Sequence, residues 1–211
     1  MNKESEFNIG EISAFLGHFY KLKEIKRTGW KSKLHLNDAE SVAEHTLTMV
    51  VFALLFSEFS NYSPKRTIKM IKMILIHDLG ESMIGDYTPK TIDFVKKKQL
   101  ENSAINTIIS KIPWITIKTK YYRLWKEFDE NSTEISKMIH LIDKLEMAIQ
   151  ASYYMENRKD IKKEDIRPFL ESASSYVIQK HKIRDTKNSN NLDIEKKDVE
   201  EIKQILLDFC K

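Results

Sequence analysis

Four polar side chains in this sequence stand at or beside places where helical periodicity expects apolar ones, and all four are of types that bind metals. His45 lies on the stripe Val42, His45, Met49, Phe52/Ala53 and Phe56. Asp78 takes the last place of a stripe running Ile68, Ile71, Leu75 and Asp78, with His77 directly before it. Asp143 is embedded in the apolar run between Met138 and Ile149. A polar or charged group on a core stripe needs a partner, because burying it unpaired is strongly unfavourable. Each residue alone has a plainer reading: a lone core histidine is more often hydrogen-bonded and structural, and an interior Asp is as often a partner for Lys or Arg. The combination points further. Two imidazoles and two carboxylates from three helices offer four N/O ligands to one divalent cation. Such a set suits Mn, Co, Mg, Fe or Zn rather than a thiolate-selecting metal. Glu81, four residues beyond His77 and three beyond Asp78, is gathered by helical spacing at the same end of its helix.

The elements that must position these residues are helices. Periodicity predicts the first over residues 9–26, with Ile12, Phe15, Leu16, Phe19 and Leu22 on one stripe, followed by a polar connection containing Arg27, Gly29 and Trp30. Ser41 and Glu44 have capping-box spacing and open a helix to residue 59. Ser63 and Pro64 are a cap residue and a first-turn proline, opening another to residue 79. Gly80 and Gly85 bracket a turn region leading into Thr88-Pro89. Further helices are predicted over 91–112, where Pro113 breaks the pattern, and over 120–128, 132–155 and 163–180. Residues 185–193 read as a loop, and a last helix places Val199, Ile202, Leu206 and Phe209 on one face. With no alternating strand pattern, the expected fold class is all-α, a helical bundle, and 211 residues fit a single domain.

Bulk properties narrow the setting. Net charge is +4, but Lys and Glu are interspersed, and the cluster Lys96 to Lys98 reads as a solvated helix face rather than a nucleic-acid footprint. Cys210 is the only cysteine, so an intrachain disulfide is impossible. The most apolar run, residues 49–56, is too short to span a bilayer, and the first residues are polar and acidic where a signal peptide would be basic and then apolar. The expectation is a cytosolic protein without nucleic-acid or membrane partners.

The signature H…HD…D, here His45, His77-Asp78 and Asp143, resembles that of the HD-domain superfamily of metal-dependent phosphohydrolases. Four words narrow the resemblance: Arg27-Thr-Gly-Trp30, Ser41-Val-Ala-Glu-His45, His77-Asp-Leu-Gly-Glu81 and Gly85-Asp86-Tyr-Thr-Pro89. Together, over roughly residues 10–155, they look like the 5′-deoxynucleotidase branch, which removes the phosphate from deoxyribonucleoside 5′-monophosphates. The resemblance implies one HD-type domain, one divalent metal ion, a nucleoside monophosphate substrate and a homodimer. It implies that His45, His77, Asp78 and Asp143 hold the metal and that Glu81 handles the attacking water. Arg27 would orient the phosphate and Trp30 would bound the sugar pocket. Asp86, Tyr87, Thr88 and Pro89 match the loop that contacts the nucleoside. Two residues, Thr28 and Gly29, separate Arg27 from Trp30, whereas some members have the pair adjacent. The chain after about residue 160 carries no motif of the branch.

The chemistry is self-consistent. A phosphate monoester dianion repels an anionic nucleophile, so hydrolysis needs charge neutralisation and a nucleophile available at neutral pH, and a divalent ion provides both. Arg27 can clamp the phosphate bidentately, and Glu81 has the reach to deprotonate a water. Asp86 could orient the leaving 5′-oxygen or bind a sugar hydroxyl. Rival readings are a hydrolase of another phosphate ester, of the cyclic-nucleotide or (p)ppGpp kind, and a nucleotide-binding sensor without catalysis. Glu81-Ser82 stands where the (p)ppGpp branch usually carries Glu-Asp, and a sensor does not need a base beside its metal.

Overall fold

The computed structural model describes residues 9–88 and 92–184, with the side chains of residues 94 and 177–184 outside the description. Pro89, the predicted loop over 185–193 and the predicted helix bearing Val199 to Phe209 therefore lie outside the described residues. Among the described residues nine α-helices follow one another: α1 (Ile9–Leu22), α2 (Thr28–Leu34), α3 (Val42–Phe59), α4 (Pro64–His77), α5 (Glu81–Ile84), α6 (Phe94–Ser110), α7 (Ile115–Asp129), α8 (Glu134–Asn157) and α9 (Lys163–Arg184). Among the described residues the one β pairing outside named strands is a single antiparallel bridge between Lys26 and Ser41. The expected all-α fold is the observed one.

Local chemistry sets the helix ends that matter for the site. The Ser41 side chain accepts from the Glu44 amide while the Glu44 carboxylate accepts from the Ser41 amide, so both halves of the predicted capping box are present at the start of α3. Ser63 caps α4 with Pro64 in its first turn, and Asp78 is the C-cap residue at its other end. α8 is the central helix. It packs against α3, α4, α7 and α9. The core has two parts, one centred on α8 and its neighbours and one built from α1, α6 and α7. α4 joins them, sending Met70, Met73 and Ile74 into the first and Ile76 into the second.

The structure corrects several expectations. α4 turns a different face inward: Ile68 and Leu75 are exposed, while Met70, Met73, Ile74 and His77 are buried. Apolar residues occur on several sides of this helix, so periodicity alone does not choose its phase, and packing on two flanks does. The connection after α1 contains the helix α2, and the Gly80–Gly85 turn contains the helix α5. α3 is long and apolar enough, by length and composition, to cross a membrane, whereas the apolar run read from sequence was shorter. Its Val42, His45, Met49, Ala53 and Phe56 face the core, and Leu47, Val51, Leu54, Leu55 and Phe59 face outward.

His18, given no role from sequence, ties α1 to the elements beside the site. Its Nε2 lies 2.9 Å from Lys111 Nζ and its Nδ1 lies 2.8 Å from Ser82 Oγ. An ammonium only donates, so Nε2 accepts and Nδ1–H donates to Ser82. Burial, then the charges of Lys111 and Lys21, hold the His18 pKa below its ordinary 6.5. As pH falls below 6.5 the ring therefore takes a proton more readily in the unfolded chain than in the folded protein. Its contribution to stability is complete above pH 6.5 and is lost as pH falls below that value. Denaturant unfolding compared at about pH 7.5 and about pH 5.5 should show a smaller acid-induced drop for His18→Gln than for wild type.

Candidate metal centre

Three helices bring His45, His77 and Asp143 together. Their ligand atoms all lie within 4.8 Å of one another. His45 comes from the first turns of α3, fixed by the capping box, His77 from the last residue of α4, and Asp143 from the middle of α8. Asp78 borders the group, its Oδ2 3.0 Å from His77 Nε2. On the other side, His45 Nε2 lies 3.3 Å from Asp143 Oδ1.

The imidazoles are anchored from behind. His77 Nδ1–H donates to the Ile74 carbonyl at 2.6 Å, and His45 Nδ1 meets Glu146 Oε2 at 2.6 Å. With Nδ1 committed on each ring, both Nε2 atoms are buried without a hydrogen bond. Two imidazole nitrogens free of hydrogen bonds and facing two carboxylates form an N/O donor set that fits a divalent cation, and nothing in it selects one metal over another.

The electrostatics agree with that fit. Burial and the Arg27 charge press the His45 pKa down, but Asp143 and Glu146 carry it up to about 9, the sign of a negative field at the ring. Burial opposes ionisation of Asp78, yet His77 and Arg27 hold it well below the usual carboxylate range. Lys144, His45 and Arg27 do the same for Asp143 against its burial.

Arg27 stands over the two carboxylates. Nη1 is 3.3 Å from Asp78 Oδ2 and Nη2 is 3.9 Å from Asp143 Oδ1. Its backbone is clipped to the start of α3, because its N–H donates to the Glu40 carbonyl at 3.0 Å, beside the Lys26–Ser41 bridge. Arg27 is the N-cap residue of α2, so Trp30 falls one helical turn further along. The two intervening residues thus keep Arg27 and Trp30 on one side, and both line the same cavity.

That cavity has a volume of about 630 Å³ and reaches the metal centre through His77, Asp78 and Asp143. Glu81, the first residue of α5, is 4% exposed on its wall and leaves Oε2 without a hydrogen bond. Burial, then the charges of Asp78 and Asp86, raise its pKa well above the ordinary value. Asp86, Tyr87 and Thr88 also line the cavity. Asp86 is turned toward α2: its Oδ2 accepts from the Thr28 amide at 2.5 Å and its carbonyl accepts from Thr28 Oγ1 at 2.7 Å. This places a carboxylate at the amino end of α2, where the helix dipole favours it, and couples the loop to Arg27. Gly85, at φ 84, supplies the left-handed backbone that turns the chain from α5 into this loop.

Trp30 is a core residue as well as a wall. It is 2% exposed, packs 4.3 Å from Phe169 and 5.4 Å from Tyr154 between ring centroids, and donates Nε1–H to Glu40. His140 lines the cavity with Nε2–H committed to the Phe128 carbonyl and its ring stacked on Phe128.

Sequence reasoning missed several wall residues. Lys97, read as part of a solvated face, is half-buried, donates to the Tyr87 carbonyl at 3.0 Å and pairs with Glu101 at 3.4 Å. Lys144 reaches Asp143 Oδ2 at 3.0 Å. Phe169 and Ser172 bring α9, which carried no motif, to the same cavity. Glu146 had a signal, since it follows Asp143 by three residues and shares its buried helix face.

Comparison with known proteins agrees with this arrangement. The family profile of the HD domain matches residues 19–184, and the chain belongs to that family. Among curated relatives, a 5′-deoxynucleotidase HDDC2 of Dictyostelium discoideum is 36% identical over 139 residues, covering 64% of this chain and 72% of that protein. The mouse protein of the same name is 31% identical over 147 residues, covering 68% and 71%. Of solved structures, a conserved hypothetical protein from Pyrococcus furiosus superposes with a TM-score of 0.64 at 24% identity, over 90% of this chain and 98% of that one, and shares the fold.

Replacing His77 or Asp143 with Ala should abolish measurable Mn(II) or Co(II) binding in calorimetric titration. The same metals should raise the unfolding temperature of wild type but not of either variant.

Proposed function

We propose that the protein is a metal-dependent phosphatase that removes the 5′-phosphate from nucleoside 5′-monophosphates, with deoxyribonucleotides preferred. One observation carries the reading: the buried Nε2 atoms of His45 and His77, neither hydrogen-bonded, lie beside two carboxylates at a cavity lined by His77, Asp78, Asp143, Arg27 and a proton-avid Glu81 whose Oε2 has no hydrogen bond. The relatives' activity on deoxynucleotides supports the substrate class. The cavity volume falls within the range of about 300–1,000 Å³ common to small-molecule sites.

In this reading His45, His77, Asp78 and Asp143 would hold one divalent ion, which would supply charge neutralisation and a nucleophile at neutral pH. The wall itself calls for it, since Asp78, Glu81, Asp86, Glu101 and Asp143 outnumber Arg27, Lys33, Lys97 and Lys144 around a phosphate dianion. Arg27 gives the phosphate two parallel donors and is held charged, against burial, by Asp78, Asp143 and Glu81. Glu81 accepts the proton of the attacking water, a role its raised pKa suits. Asp86 fixes the loop of Tyr87 and Thr88 against α2, so its first duty is to hold Arg27 and the nucleoside loop in register. Trp30 bounds the sugar end. A cytosolic homodimer belongs to the same proposal, with the outward apolar residues of α3 as support for self-association.

Phosphate release from a panel of ribo- and deoxyribonucleoside 5′-monophosphates, with Mn, Co, Mg or chelator, tests the reading. Metal-dependent release, stopped by chelator and faster for deoxyribonucleotides, is the expected result, whereas folded, metal-loaded protein inactive on every member would sink it. Glu81→Gln should keep metal affinity and lower kcat by about 10²–10⁴-fold. Near-normal turnover in that variant would remove Glu81 from its role.

A further inference from the structure

Behind His45, on the side away from the cavity, lies a second and fully enclosed group. Ligand atoms of Glu40, His45 and Glu146 lie within 4.8 Å of one another, and the three residues are 8%, 0% and 2% exposed. Its contacts are already made. Trp30 Nε1–H donates to Glu40 Oε1 at 2.8 Å, and Glu146 Oε2 meets His45 Nδ1 at 2.6 Å. The Glu40 amide donates to the Tyr154 hydroxyl at 2.7 Å. The group therefore reads as support for His45 rather than as a second cation site.

A carboxylate facing Nδ1 accepts, so Nδ1 carries the proton and the lone pair is left on Nε2. The carboxylate comes from α8, one turn beyond Asp143. A single turn of α8 thus presents one carboxylate in front of the imidazole and another behind it. Glu146 Oε1 is buried with no hydrogen bond, an expense that packing alone does not explain. A negative group kept behind a histidine makes that ring a stronger donor to a cation in front of it.

We propose that Glu146 is a positioning residue of the metal centre: its negative carboxylate fixes His45 in the tautomer and orientation that present Nε2 to the ion. Glu40, held by Trp30, walls the carboxylate in from the far side. Two buried polar pairs, Trp30 with Glu40 and Glu146 with His45, thus lie side by side between a wall of the substrate cavity and the metal centre. The inference rests on the metal reading of the front cluster.

The test uses the full chain stripped of metal with chelator, titrated with Mn(II) by calorimetry and with Co(II) by visible absorption. Glu146→Gln keeps the shape and an oxygen acceptor but removes the charge. It should weaken Mn(II) binding about 10–100-fold and shift the Co(II) bands, while the unfolding temperature in chelator stays at or above the wild-type value. At saturating Mn(II) its KM should remain near wild type. Mn(II) affinity and Co(II) bands unchanged in Glu146→Gln, with wild type binding normally, would overturn the proposal and leave the metal reading standing. Wild type that binds neither metal would overturn both, and His77→Ala provides the reference for a lost ligand.

Discussion

Nε2 of His45 and Nε2 of His77 lie inside a helical bundle, bare of hydrogen bonds, while Nδ1 of each is fastened to a fixed acceptor. Imidazoles confined in this way beside two carboxylates make an interior that favours positive charge among them. The rest of the architecture follows from meeting that demand at one point in space. The capping box fixes where α3 begins and so where His45 sits, the end of α4 delivers His77 and Asp78, and α8 crosses between with Asp143. Apolar packing aligns these helices, but the polar centre dictates which turn of each must meet the others.

The short elements do the finer placement. α2 and α5 are seven and four residues long, and neither has the length to be stable alone. Each is held by polar contacts to its neighbours: α2 through Asp86 at its amino end and the Glu40 carbonyl, α5 through the Ser82–His18–Lys111 chain. These are the elements that carry Arg27 and Glu81, the two side chains proposed to act on the phosphate and on the water. Local order here depends on long-range pairing rather than on helix propensity.

That division explains what could be read from the sequence. The long helices were legible because caps and periodicity are local: Ser41 with Glu44, and Ser63 with Pro64, mark their helices whatever the tertiary context. The gathering of His45, His77 and Asp143 was legible because each is polar on an apolar background. α2 and α5 were not, since seven residues containing Gly29, or four between two glycines, hold too few turns for a period to emerge. The inward face of α4 was misjudged because that helix touches core on two flanks. Lys97 looked like a solvated charge because a run of lysines does not reveal which one bends toward a carbonyl such as that of Tyr87. Phe169 and Ser172 reach the cavity from far along the chain, a juxtaposition that only the packing of α9 against α8 and α2 creates.

Trp30 belongs to two inheritances at once. The ring lines the cavity, while it also packs against Phe169 and Tyr154 and its nitrogen donates to Glu40. The pocket wall is thus cut from the same ring that fastens α9 to the bundle. Descendants of this chain are not free to reshape that wall by a single change, because any replacement of Trp30 is smaller and opens a void under α9. Divergence in what the cavity admits should proceed through paired substitutions at Trp30 and Phe169, so that covariation between these two positions would trace the history of its selectivity.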